Sequence, residues 1–499
     1  MSQNVIALCV IGFFMIFPLV IGFTAKGKSS GSAEDYFIQS RGMGGIAVFF
    51  SVAATWWSAF AFLGSNGYFY TSGPLYWTAI AWNIFFGIMY FGVGKKIWYM
   101  GKLNGYITAA DFFKHQYGSN PLGVLIAIIM IVGTVPYLQV QLSGGAYLIQ
   151  VASGNLIPMA VAALLFYVVI IIYVWAGGIR AIAWCDIFYG VLLFFGMVFA
   201  GFYVASLVGG PSAMFHQVEQ AFPGHTSLAA GKQMAWLSMF IITPVGSFMG
   251  PQIWARFYAV KSARTFDIMP FLLAFAAIAY VGSMLTGNAG KLLYPDVNEL
   301  INANADYILP TVLFNYAPFV IGSVLMACGA AAAMSTANAQ VLALSTVYTM
   351  DFHRKYINKN MTENKTVWVG RIAILIFSAI AYFMCLFIPG LLVSIGLVTL
   401  GFTAQVMVPT CGALFWKRST VAGAFAGVIV GGGLNALCGL GIMAPPALFT
   451  GATGLFAFLC NVVVFIVVSL FTKPRPQKLM EELEQQYADY YNQVDMYED

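Results

Sequence analysis

Charge is what this sequence has least of. Only 8% of its 499 residues are Asp, Glu, Lys or Arg, against roughly 25% in a soluble globular chain, so a water-exposed surface all round is excluded. Histidine is as scarce, with four residues, His115, His216, His225 and His353, all falling in expected loops. That distribution removes a histidine proton relay or a membrane metalloenzyme. Seven cysteines are scattered in or beside apolar runs with no metal-ligand or disulfide spacing, and they read as packing residues. No Ser–His–Asp pattern, HExxH or phosphate-binding loop occurs, so an intramembrane protease or an ATP-driven pump has no machinery here. The chain reads as a non-enzyme without cofactor. Its net charge of +5 calls for no nucleic-acid partner, because the basic excess has another place to go.

What is present is apolar. Hydrophobic residues make up 60% of the chain and the mean hydropathy is +0.82. Runs of about 20 apolar residues recur to the C-terminal region, the length a bilayer demands. Thirteen are expected, near residues 4–23, 45–72, 74–100, 121–150, 155–177, 186–208, 235–258, 269–290, 311–349, 368–388, 391–415, 420–440 and 449–472. The first lacks a basic leader and a clear cleavage site, so it reads as a retained helix rather than a signal peptide. With the N-terminus outside and the C-terminus in the cytoplasm, 21 of the 23 Lys and Arg fall inside, leaving only Lys232 and Lys291 outside. The expectation is a multi-pass protein of the cell inner (plasma) membrane. Its tail after Pro474 is acidic and Tyr-rich, and reads as a solvated helix with a frayed end.

An isolated charge in a bilayer is costly, so intramembrane ionisable residues usually mark function. Asp186 is the candidate, at the cytoplasmic start of the sixth run; it is either a boundary residue pairing with Arg180 or an ion waypoint. Elsewhere the apolar runs keep small and hydroxyl-bearing residues. The ninth reads Ala330–Ala–Ala332–Ala–Met–Ser335–Thr336–Ala–Asn338–Ala–Gln340. Two neutral hydroxyl oxygens plus freed carbonyls suit a sodium ion; close packing with back-bonded hydroxyls is the alternative. The second run mixes hydroxyls, aromatics and glycines over Ser51–Gly67, and the seventh is interrupted at Thr243–Pro244–Val–Gly246–Ser247. Two interrupted helices five runs apart point to inverted repeats meeting at a midplane site.

Five motifs, in order, carry a family likeness. They are Tyr36–Phe37 with Ser40–Arg41–Gly–Met–Gly–Gly45; Ala54–Thr55 with Ser58 and Phe62–Leu–Gly64; Val140–Gln141 with Gly144–Gly145; Gly177–Gly178–Ile–Arg180 with Asp186; and Met334–Ser335–Thr336–Ala–Asn338–Ala–Gln340. On these the chain resembles the sodium:solute symporter family from about Ile11 to Phe471, and within it the pantothenate and monocarboxylate permeases. The resemblance implies an all-α membrane protein with the five-plus-five inverted-repeat fold of the leucine transporter. Residues 1–44 would be a leading helix and loop, 45–210 and 211–416 the two repeats, 417–472 two trailing helices and 473–499 a cytoplasmic tail. It also implies one sodium site, from the carbonyls of Ala54, Trp57 and Ala332 and the hydroxyls of Ser335 and Thr336. Proline-type members carry an aspartate where Trp56 stands. Members with a second sodium carry a serine pair where this chain has Asn338 and Ala339.

The expected partners are therefore sodium, a small organic solute and the lipid bilayer. The expected solute pocket is Trp56, Ser58, Phe60, Gln139, Gln141, Thr243, Gly246 and Ser247, aromatic with a few amide and hydroxyl groups. No buried Lys or Arg is expected to meet a carboxylate, which leaves half-helix N-termini for an anion. The solute expected is a monocarboxylate or pantothenate-like acid; an amino acid or sugar symporter, or a passive channel, stays open.

Overall fold

The computed structural model describes residues 3–26, 32–493 and 496–497. Lys28 and the acidic Asp495, Glu498 and Asp499 lie outside the described residues, as do the side chains of Lys26 and Arg180. In lipid every backbone N–H and C=O must be satisfied within the protein, and apolar runs of this length meet that demand as helices. Among the described residues the chain is helical, with a single β-bridge, Met43 to Val260.

The elements that matter are α1 (Gln3–Lys26), α2 (Gly45–Trp56), α3 (Phe60–Tyr76), α4 (78–104), α5 (Asn120–Ala152), α6 (Met159–Ser206), α7 (Gln233–Phe248) and α8 (Pro251–Ala259). They continue with α9 (Arg264–Leu293), α10 (Phe319–Ile357), α11 (Glu363–Phe387), α12 (Leu392–Phe415), α13 (Val421–Gly439), α14 (Thr453–Phe471) and α15 (Gln477–Tyr491). Eight described helices are long and apolar enough to cross a membrane, or ten when the bent pairs α2/α3 and α7/α8 each count as one. The apolar parts of α1 and of the first half of α6 are shorter, at Gln3–Phe17 and Met159–Ile172. The architecture is thus an all-helical, multi-span bundle.

Several boundaries differ from expectation for local reasons. The fifth and sixth runs join into α6, which kinks at Gly178 (φ 55°, ψ −156°). That backbone region is open to glycine and strained for any residue with a Cβ, and a Cβ there would sit 2.7 Å from the Tyr36 carbonyl. The ninth run splits before Pro318, giving a short helix Ile308–Tyr316 ahead of α10. The histidines are not all in loops: His115 lies in the helix Ala109–Tyr117, His216 in Pro211–Ala221 and His353 in the last turns of α10.

The tail departs most. Rather than standing in solvent, α15 lies across one end of the bundle. Tyr487 Oη donates to Gln116 Oε1 at 2.9 Å, Lys96 Nζ to Tyr491 Oη at 2.8 Å, and Lys417 pairs with Glu484 at 2.8 Å. Leu483 on its inner face is 1% exposed. An amphipathic helix with an apolar stripe docks where such a stripe finds cover, and the acid-rich composition concealed it.

Candidate functional site

Both bent pairs turn by 53°. In the first, α2 ends at Trp56, and α3 starts at Phe60; Trp57 leaves helical geometry at φ −81°, ψ 69°. The intervening backbone donors are met by side chains, as buried donors must be. Gln141 Oε1 accepts the Ala59 N–H at 2.9 Å, and Ser58 Oγ accepts the Phe60 N–H at 3.1 Å. In the second pair the break falls at Met249–Gly250, a few residues beyond the expected Thr243–Ser247. Pro244 is carried inside α7. Gly246 serves packing: a Cβ there would lie 2.1 Å from the Leu400 carbonyl of α12.

The small-residue stretch of α10 faces the first break. Thr336 Oγ1 donates to the carbonyls of Ala54 (3.3 Å) and Thr55 (3.0 Å) at the end of α2. Ser335 Oγ donates to Asp186 Oδ1 at 2.5 Å. Ser335, Thr336, Ala332 and Ala54 are all 0% exposed, and Trp57 is 1% exposed. Hydroxyls, carbonyls and one carboxylate therefore converge where α2, α6 and α10 meet. All are oxygens, the donor type that a hard monovalent cation takes.

Asp186 is buried near the start of its span. It is 1% exposed and pairs with Arg256 of α8, Nη2 to Oδ2 at 3.1 Å; a pairing with Arg180 would rest on a side chain outside the described residues. Ser51 Oγ donates to the same Oδ2 at 2.6 Å and receives Arg256 Nε at 2.9 Å. Arg256 also donates to the Ser51 carbonyl (3.1 Å) and the Gln252 carbonyl (2.8 Å). A buried Arg thus exists, contrary to expectation, but its charge is already matched. Sequence reasoning missed Ser51, Thr55 and Arg256. Ser51 and Thr55 stand four residues apart on one helix face, a spacing that was legible. Arg256 was counted among the cytoplasmic charges, and nothing in its local sequence shows that the bend at Gly250 turns it inward.

The expected solute residues are all buried, so the centre is closed to both faces. Ser58, Phe60 and Gln141 gather at the first break: Phe60 meets the rings of Tyr137 (6.1 Å) and Trp82 (6.3 Å), and Ser58 Oγ lies 3.5 Å from Tyr137 Oη. Trp56 packs on Phe86 at 4.5 Å, which in turn meets Phe248, the residue after Ser247. Thr243 Oγ1 is buried without a partner among the described residues. Gln139 stands apart, because two residues along a helix turn a side chain by about 200°. Its Nε2 donates to the Ile388 carbonyl at 2.6 Å, tying α5 to the end of α11.

This geometry has counterparts among known proteins. A family model described as the sodium:solute symporter family matches residues 36–431. Relatives include the Bacillus subtilis (strain 168) uncharacterized symporter YhjB, 26% identical over 485 residues, covering 94% of this chain and 97% of that one. The osmoregulated proline transporter OpuE of the same strain is 25% identical, with 94% and 95% covered. A Staphylococcus aureus (strain COL) sodium/proline symporter is 27% identical, with 93% and 92% covered. Among solved structures, a Na+-coupled sialic acid symporter in a substrate-bound outward-open state superposes with a TM-score of 0.77 at 20% identity, covering 96% of this chain and 99% of that one. The nucleobase-cation-symport-1 family transporter MHP1 gives 0.57 at 14% identity, with 92% and 99% covered; at such identities the likeness is one of fold. These relatives are transporters, not enzymes. The chain belongs to the sodium:solute symporter family, and is a multi-pass plasma-membrane protein that couples sodium to a small solute.

Proposed function

We propose that this protein imports a small organic acid, a monocarboxylate or pantothenate-like anion, together with sodium by alternating access. The carrying observation is the first break. There the Ala59 and Phe60 N–H groups open a half-helix, and two neutral side chains, Gln141 and Ser58, hold them. A carboxylate displacing these oxygens would gain the positive end of the helix dipole without needing a cation. Trp56 gives the pocket an apolar wall where proline-type carriers have a carboxylate, and this favours an acid over proline. Sodium would be held by the Ala54, Trp57 and Ala332 carbonyls and by Ser335 and Thr336, with Asp186 as the neighbouring charge along the ion's path. On this reading residues 45–210 and 211–416 are the inverted repeats, 417–472 the trailing helices, and thirteen spans run from an external N-terminus to a cytoplasmic C-terminus.

The test is a thermal-shift screen of purified protein against short monocarboxylates, pantothenate, proline and neutral sugars, with and without sodium. A ligand that binds only the folded state raises its stability, by about 2.7 kcal/mol at a hundredfold excess over Kd. Stabilisation by an acid that requires sodium, followed by sodium-driven accumulation in proteoliposomes, is the expected result. Stabilisation by proline alone, or solute flux without accumulation, overturns the assignment.

A further inference from the structure

A recess lies at the end of the bundle that α15 covers. Where α15 crosses the end of α12 it leaves a groove of about 480 Å³. One wall is Leu414, Phe415 and Lys417; the other is Arg475, Leu483 and Tyr487. Phe415 is 55% exposed at the last turn of a membrane-crossing helix, so the groove opens at the level where hydrocarbon gives way to water.

Its charge is unbalanced. Arg475 is 5% exposed, yet among the described residues no carboxylate pairs with it. Nη1 donates to the Gln116 carbonyl at 2.9 Å and the guanidinium lies over the Tyr117 ring, while Nε is buried with no partner. Burial pushes its pKa below the ordinary arginine value. An uncompensated buried cation is costly, and an anion beside it removes that cost. Among the described residues Lys417 pairs only with Glu484, and the two side chains are 78% and 53% exposed, a solvent-screened arrangement for which a phosphate competes readily. Lys96 reaches the same end, with Nζ 4.3 Å from the Phe415 ring centre. The other acids of α15 are engaged elsewhere: Glu482 at His115, Glu481 at Gln477 and Asp489 at Gln485.

We propose that this groove binds one anionic phospholipid of the cytoplasmic leaflet, its phosphate between Arg475 and Lys417 and its upper acyl chain over Leu414 and Phe415. Basic recesses between helices on the cytoplasmic side suit such headgroups. The lipid then cements α15 to the bundle, making tail docking depend on membrane composition. The leaflet rests on the orientation proposed above, which cysteine labelling tests separately.

The full chain is placed in nanodiscs of phosphatidylcholine alone or with phosphatidylglycerol. Lipid retained after extraction is counted by native mass spectrometry, and tail docking is followed by tryptic cleavage after Lys478. Phosphatidylglycerol should be retained at least tenfold over phosphatidylcholine and slow the cleavage several-fold; glycerol phosphate in solution should do neither. Arg475→Gln with Lys417→Gln should abolish the preference. Because that variant also loses the bond to Gln116, Ala488→Trp, which fills the groove with both cations intact, should abolish it too. Equal retention of the two lipids, retention that survives both variants, or equal protection by glycerol phosphate overturns the proposal.

Discussion

Ser335 spends its proton on Asp186, and Thr336 spends its own on the end of α2. Both hydroxyl oxygens keep lone pairs beyond these donated bonds. Adjacent residues on a regular helix are about 100° apart, so both reach one ion only in the groove toward α2 and α6. Ser335→Ala and Thr336→Ala should each cost ~1–2 kcal/mol of sodium binding, raising half-saturating sodium roughly 5- to 30-fold. Solute affinity should fall mainly at low sodium and recover at high sodium, because the two ligands are linked reciprocally. Ser345→Ala is the control, with a buried hydroxyl about three turns further along α10. Uptake measured against sodium concentration decides: unchanged half-saturation in the first two variants means that these hydroxyls are packing. At this scale the sequence was informative about the hydroxyls, because Ser335 and Thr336 sit in a stretch too small and polar to be mere lipid-facing helix. It was silent on Arg256, since a charge's burial depends on a bend that brings distant segments together.

At the scale of elements, the breaks were readable and their registers only partly so. Hydroxyl and aromatic residues over Ser51–Gly67 bracketed the α2/α3 break, which falls at 57–59, while Gly64 and Gly67 lie beyond it in α3. Pro244 misled, because a membrane helix tolerates proline when neighbours re-satisfy the freed carbonyl. The segment 304–307, which would act as a lid over the opposite end of the bundle, was not legible, because its partners lie far away in the chain. There Asp306, 1% exposed and outside the membrane-crossing helices, accepts the Leu392 N–H that opens α12 at 2.7 Å. Asn304 donates to Tyr147 Oη at 3.3 Å and Tyr307 Oη to Gln150 Oε1 at 2.7 Å, so the same loop grips α5.

The charged form of Asp306 is disfavoured in the closed lid. Burial pushes the carboxyl up to about 7, against a smaller opposing effect of the Leu392 N–H; the titratable groups beside it are Tyr147 and Tyr307, and among the described residues no cation acts on it. A solvated Asp titrates near 3.9, so the closed lid binds the proton more tightly than an open, hydrated one. Closure is therefore stabilised as pH falls from about 7 toward 4, by at most about 1.4 kcal/mol per unit, and gains nothing further above 7. Uptake should slow when the medium on the lid side is taken from pH 7.5 to 5.5, and Asp306→Asn should flatten that dependence. Persistence of the full slope in the Asn variant would remove Asp306 from the gate.

For the whole molecule, composition established a membrane-embedded helical chain, and the basic residues suggested its orientation. A cysteine at Ser119 should be labelled only from the cytoplasm and one at Ala229 only from outside; labelling of both from one side breaks the count of spans between them. Coupling is the remaining whole-molecule property, and it turns on how many ions accompany each solute. A second ion would need more oxygens next to the first. One turn beyond Ser335 and Thr336 this chain offers Asn338 and Ala339, where two-sodium members have serines. Asn338 keeps a buried Oδ1 without a partner among the described residues, but the Ala339 side chain has no oxygen. One sodium per solute is the expected ratio. A single sodium entering down 100 mV supplies about 2.3 kcal/mol, and a tenfold sodium gradient adds about 1.4 kcal/mol. For a neutral solute these add and allow accumulation of a few hundred-fold. For a monoanion the electrical part cancels, transport is electroneutral, and only about tenfold accumulation remains. Proteoliposomes carrying a set membrane potential separate the cases. Uptake of the acid should follow the sodium gradient and ignore the potential, and a measured ratio near two sodium ions per solute, with potential-driven uptake, would show that a second site exists despite Ala339.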